Sequence, residues 1–234
     1  MIDEKNRILD SYRRREVGAK FFSYEDYAHM YRIQERYRVT LTMLQAAGYY
    51  PLRDKNILDI GCGDGVMLRQ FLQWGATPKN LAGIELRADV VQIGINLTPN
   101  IDIRNGSATN LPWPAASFDL VCLHTVFTSI LDVSMKQKIV GEIDRVLRSG
   151  GAILWYDFRF DNPRNPDVRG VKTNEIHQLF PKYDIKLKKI TLAPPLARRT
   201  PSFLLPYLYQ PLALLPFLRT HLIGILIKGT LSWT

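Results

Sequence analysis

The apolar run Asn56-Ile57-Leu58-Asp59-Ile60 breaks into Gly61-Cys62-Gly63-Asp64-Gly65, and a helical pattern resumes near Val66. A strand that turns through three alternate glycines into a helix leaves few folds open. The glycines let the backbone turn tightly and let a ligand approach main-chain atoms that side chains would otherwise shield. A dinucleotide fold uses Gly-x-Gly-x-x-Gly, with the pyrophosphate against the helix N-terminus. Here the third glycine, Gly65, comes one residue early, and acidic Asp64 stands where a diphosphate would lie. The turn therefore argues against NAD or FAD. Asp59 places a carboxylate beside the ligand, which suits a cationic group such as an ammonium or a sulfonium.

Further apolar runs follow: 81–86, 101–104, 118–123 and 152–156. Runs this apolar suit strands covered on both faces. Crossover helices lie between them, the clearest from Ser134 to Arg148 with Ile139, Val140, Ile143, Val146 and Leu147 on one stripe, ended by Ser149-Gly150-Gly151. Strand and helix in alternation predict a doubly wound α/β sheet whose ligand sits at the carboxyl ends of the strands. Upstream, Tyr24 to Ala47 carries helical spacing, and residues 1–50 are expected to form a helical cap. Downstream, 183–192 and 221–228 are two more expected strands, separated by an apolar insert, 193–220, interrupted by six prolines. Its apolar stretches are too short to span a bilayer.

Glu85 ends the second strand, where a carboxylate can accept hydrogen bonds from both ribose hydroxyls. Taken with the glycine turn, these residues resemble the class I methyltransferases dependent on S-adenosylmethionine, nearest to their small-molecule group. The resemblance covers Lys55 to Asp157, most specifically 57–65, and Leu147-Arg148-Ser149-Gly150-Gly151 is similar to the family's turn before strand five. It implies a single domain over 1–234 with a mostly parallel seven-stranded sheet, a cofactor core at 55–157, and S-adenosylmethionine as cofactor. It also implies that Asp59, Gly61, Cys62, Gly63 and Gly65 meet the methionine portion, Glu85 and Leu86 the ribose, and Ser107 and Ala108 the adenine. The family usually offers an aspartate where this chain has Ser107, whose hydroxyl accepts the same bond without charge assistance.

Candidates for the chemistry end strands four and five. His124 is either a general base and cofactor neighbour or a hydrogen-bonded core histidine. Tyr156 and Asp157 either orient an acceptor or, in the case of Asp157, pin the loop 158–169. Tyr27, His29 and Tyr31 are pocket walls or helix core. No metal site is expected.

Two cysteines give no disulfide framework, and the charged N-terminus lacks an export signal, so a cytoplasmic location is expected. The net charge of +9 attracts anions without choosing among them. Leu123-His124-Thr125-Val126 has nothing of the Asn/Asp-Pro-Pro-aromatic tetrad of base methyltransferases, so no nucleic-acid partner is expected. The expected substrate is a small-molecule or lipid- or glycan-linked acceptor methylated on oxygen; the alternatives are a quinone-like ring methylated on carbon and a non-catalytic scaffold. The insert, with Arg198, Arg199 and Arg219 at its margins, suits a lid, a homodimer seam, or a contact at the inner face of a membrane through 198–219.

Overall fold

The computed structural model describes residues 3–16, 26–163 and 165–229. Tyr24, where the helical pattern begins, lies outside them. Two helices, α1 (Glu4–Glu16) and α2 (Tyr27–Ala46), precede β1 (Ile57–Ile60), α3 (Val66–Gln73), β2 (Leu81–Glu85), α4 (Ala88–Leu97) and β3 (Asp102–Asn105). Then come β4 (Phe118–His124), α5 (Val133–Val146), β5 (Leu147–Phe158), α6 (Thr173–Leu179) and β6 (Tyr183–Leu192). The chain closes with α7 (Pro194–Arg199), α8 (Leu205–Ala213) and β7 (Arg219–Lys228).

The seven strands form one sheet in the order β3-β2-β1-β4-β5-β7-β6, parallel up to β5, with β7 antiparallel to both neighbours. The expected doubly wound sheet is therefore present, closed by an antiparallel pair. Alternate residues feed two cores: Leu58, Ile60, Ala82, Ile84, Val121, Leu123 and Trp155 face α5 and α6. Ile57, Leu81, Leu120, Cys122, Leu154 and Tyr156 face the other way, with Leu44 of α2 and Leu68 and Phe71 of α3. Burial on both faces is why these strands show unbroken apolar runs rather than alternation.

The end of α5 differs from the sequence expectation. The helix stops at Val146, and Leu147 already pairs with Phe118 of β4. The next matched pair is Ala152 with Leu120, so residues 148–151 bulge out of the ladder. Gly150 takes φ +69° there, and a Cβ on Gly151 would fall 2.9 Å from the Arg148 carbonyl oxygen. The glycines thus make a bulge inside the strand, where the ladder outcompetes one more helical turn.

The insert is folded onto the domain. Leu205, Tyr209 and Ala213, at helical spacing on α8, pack with Ala28 of α2, Leu192 of β6 and Ala197 of α7. Pro194 and Pro195 open α7, where a missing N–H costs nothing. Pro211 sits inside α8, a short helix that tolerates it.

Candidate functional site

The turn after β1 holds Gly61, Gly63 and Gly65 at φ +68°, +55° and +82°, a region costly to residues with a Cβ. A Cβ on Gly61 would lie 3.0 Å from Val126 Cγ2. The turn is tied to β2: the Gly61 N–H donates to Ile84 O at 2.8 Å, and Gly63 N–H donates to the Glu85 carboxylate at 3.1 Å. Glu85 also accepts from Arg87 N at 2.9 Å, so its side chain is held at the mouth of the turn. Asp64 turns outward, where its carboxylate pairs with Arg69 at 3.3 Å.

A cleft of about 710 Å³, counted to its open mouth, runs from this turn across the strand ends. Of the expected site residues, Gly61, Glu85, Leu86, Ser107, Ala108 and His124 stand on its wall. Ser107 Oγ lies 2.9 Å from Thr109 Oγ1 and accepts from Thr109 N. Cys62, Gly63 and Gly65 build the turn without lining the cleft. Cys62 is buried against β2, where a Cβ on Gly83 would meet its sulfur at 2.7 Å.

Asp59 sits behind the wall, 2% exposed, with Oδ1 lacking any hydrogen-bond partner. Burial pushes its carboxyl up to about 8, against the opposing pull of the Arg36 guanidinium. Arg36, on α2, lies over the Tyr156 ring at 5.0 Å, and its buried Nε has no hydrogen-bond partner either. The buried Asp59 and the half-buried Arg36 thus each carry a buried polar atom without a hydrogen-bond partner.

His124 ends β4 beside Tyr156, ring centroids 6.1 Å apart. Burial, reinforced by Arg36, pushes its imidazole down to about 3, so the ring is neutral and its Nδ1 unpaired. The following residue, Thr125, is held at φ +58°, its N–H donating to Tyr156 O at 2.7 Å. Tyr156 and Asp157 are not on the cleft wall. The Tyr156 hydroxyl is 2.9 Å from Thr191 Oγ1, and its ring stacks on His221 at 4.7 Å. Asp157 accepts from the Thr128 hydroxyl at 2.6 Å and from Thr128 N at 3.2 Å. It also accepts from Phe158 N at 3.1 Å, so it pins the turn after β4 together with the first residue of the 158–169 loop. Burial, partly offset by those bonds, raises its carboxyl to about 6.

The helical walls of the cleft come from α5, through Met135 and Ile139, and from α1, through Ile8 and Tyr12, whose ring lies 5.4 Å from the Arg87 guanidinium. Tyr27 is exposed, Tyr31 packs on Tyr209 at 5.3 Å, and His29 bonds Arg32 on α2. Sequence reasoning also passed over a buried layer beneath α2, where Glu35 accepts from Tyr209 Oη at 2.8 Å and from Thr191 N at 3.2 Å. Arg32, Glu35 and Arg36 do share helical spacing, but nothing local distinguishes them from surface charge.

The methyltransferase domain family matches residues 58–155. A ubiquinone/menaquinone biosynthesis C-methyltransferase from Hahella chejuensis is 28% identical over 170 residues, 69% of this chain and 61% of that protein. A probable pectin methyltransferase from Arabidopsis thaliana is 32% identical over 143 residues, 61% of this chain and 19% of that protein. The chain thus spans at most about three fifths of these relatives. Among solved structures, a putative sarcosine dimethylglycine methyltransferase from Galdieria sulphuraria superposes with a TM-score of 0.61 at 15% identity, over 85% of this chain and 86% of that one. The glycine turn and the strand order agree with these likenesses: residues 58–155 are similar to the methyltransferase domain family, and the sheet is that of the class I methyltransferase fold.

Proposed function

We propose that this chain transfers a methyl group from S-adenosylmethionine to an oxygen of a small-molecule or lipid- or glycan-linked acceptor. The observation that carries the reading is the pair of orphaned, oppositely charged groups, Asp59 and Arg36, behind the glycine turn. The methionine end of the cofactor is a zwitterion, so Asp59 suits its ammonium and Arg36 its carboxylate. Glu85 suits the ribose, and Ser107 and Ala108, on the same cleft wall, suit the adenine. When bound, the cofactor supplies an activated methyl group on sulfur for in-line displacement.

Catalysis then rests on positioning. The neutral His124 ring offers Nδ1 to an acceptor hydroxyl, orients it, and takes its proton as that oxygen gains the methyl group and becomes strongly acidic. The wall from Tyr12 to Ile139 keeps water from competing as acceptor. A second reading, methylation of a ring carbon, draws on the likeness to the quinone C-methyltransferase.

Incubation with methyl-labelled S-adenosylmethionine and fractionated lipid, glycan and small-molecule extracts tests the reading, with Asp59→Asn as control. Label released from product by ether cleavage supports oxygen as the site; label retained on a ring supports carbon. Label confined to RNA or protein, or no transfer by a chain that binds the cofactor, would overturn it.

A further inference from the structure

The apolar insert has two sides. Its inner side is consumed by the contacts of Leu205, Tyr209 and Ala213 with α2 and β6. On its outer side Phe203, Tyr207, Leu214 and Phe217 are 71%, 75%, 75% and 72% exposed, with Leu204, Leu208 and Leu215 also open to solvent. Four large side chains so exposed within fifteen residues are more than a lone surface hydrophobe, and such patches mark contact surfaces. Among the described residues, nothing covers the outer side.

The charge around the patch selects its occupant. Residues 193–220 contain no aspartate or glutamate. Arg199 at the end of α7 is exposed, and so are Lys188 and Lys189 on the adjoining edge strand β6. The turn at 216–218 leads directly into Arg219, whose guanidinium donates to Lys189 O at 2.7 Å and so ties the end of the insert to this cationic edge strand. Arg198 differs, being paired with Asp26 at 3.4 Å. A self-complementary seam between two copies would repeat the same cations on its far side with no carboxylate from the insert to meet them, which disfavours a dimer. A surface that is apolar inside and anionic at its boundary matches both properties.

We infer that the outer side of 199–217 docks on an anionic phospholipid surface, the aromatic and leucine side chains entering the acyl boundary while Arg199, Lys188 and Lys189 meet lipid phosphates. This is independent of the proposed activity, since it rests on surface residues outside the cleft. No helix among the described residues is long and apolar enough to cross a membrane, so the contact is peripheral to the bilayer.

Vesicle co-sedimentation tests it, comparing phosphatidylcholine alone with phosphatidylcholine containing phosphatidylglycerol. The full chain is expected to sediment with the anionic vesicles and to be released by salt. Phe203→Ser/Tyr207→Ser/Phe217→Ser should lower partitioning by about a thousandfold, because each buried aromatic contributes about tenfold or more. Arg199→Gln/Lys188→Gln/Lys189→Gln should erase most of the preference for anionic lipid, about fivefold per cation. Should the triple serine variant misfold, Tyr207→Ser and the wild-type salt titration carry the same readout. Equal sedimentation with both vesicle types, no sedimentation with either, or a concentration-dependent dimer abolished by the serine variant without vesicle binding would overturn the inference. Cofactor binding by calorimetry, unchanged in these variants, separates its failure from failure of the methyltransferase reading.

Discussion

Replacing Asp59 by Asn should move stability and affinity in opposite directions. In the chain without cofactor the carboxyl is fully buried, one oxygen is unpaired, and its folded-state value lies near 8 against an ordinary 3.8. A carboxyl raised in this way stabilises the fold most when protonated, below pH 4, and that contribution is lost as pH rises through 8. The isosteric amide cannot ionise, so Asp59→Asn should match the wild type near pH 4 and exceed it by about 4 kcal/mol at pH 7. For a chain of this size that is a rise in melting temperature of roughly 8–16 °C. The same change removes a charge-assisted contact to the ligand ammonium, costing about 1.5–3 kcal/mol, or roughly 10- to 150-fold in affinity for S-adenosylhomocysteine. Calorimetry adds a third signature: wild-type binding near pH 7 should release a proton as Asp59 ionises against the ligand, making the heat depend on buffer, and the variant should lose that dependence. An Asn variant that is less stable than wild type at pH 7, or that keeps its affinity, would refute the assignment of a buried, ligand-completed carboxylate.

Glu85→Gln keeps the shape but weakens the acceptor for Gly63 N and Arg87 N; affinity for S-adenosylhomocysteine should fall about tenfold, with stability down by about 1 kcal/mol in urea titrations. Gly61→Ala puts a Cβ at φ +68° and 3.0 Å from Val126, so a loss of about 1–3 kcal/mol is expected by the same titration, and an unchanged midpoint would count against the turn geometry. Asp157→Ala strands the Thr128 hydroxyl and N–H and should cost about 2–3 kcal/mol. Because the Asp157 carboxyl is raised to about 6, its ionisation erodes wild-type stability as pH climbs from 4 to 6, a slope the alanine variant should lack in thermal scans.

The α/β alternation, the glycine turn and the two carboxylates Asp59 and Glu85 were legible in the amino-acid order, because each depends on neighbours within a few residues: period, backbone sterics and a strand end. The first strand and its helix followed from the same local rules, whereas the last strand begins at Arg219, two residues before its apolar run. What tertiary packing decided was everything that needs two distant segments. Leu147 could extend a helix or pair with Phe118, and the ladder of β4 settled it. Asp157 holds Phe158 N of its own following loop, as the local reading has it, and the fold adds a distant partner, Thr128. Helical spacing cannot say which helix covers the cleft, and Tyr12 of α1 lies there while Tyr31 of α2 meets Tyr209, far along the chain. Arg36 looks like any surface arginine until α2 packs over β6 and β7 and sets it on the Tyr156 ring. Burial without a partner, the property that turns a charged residue into a binding group, is a fact about enclosure from all sides, and no stretch of sequence encloses itself.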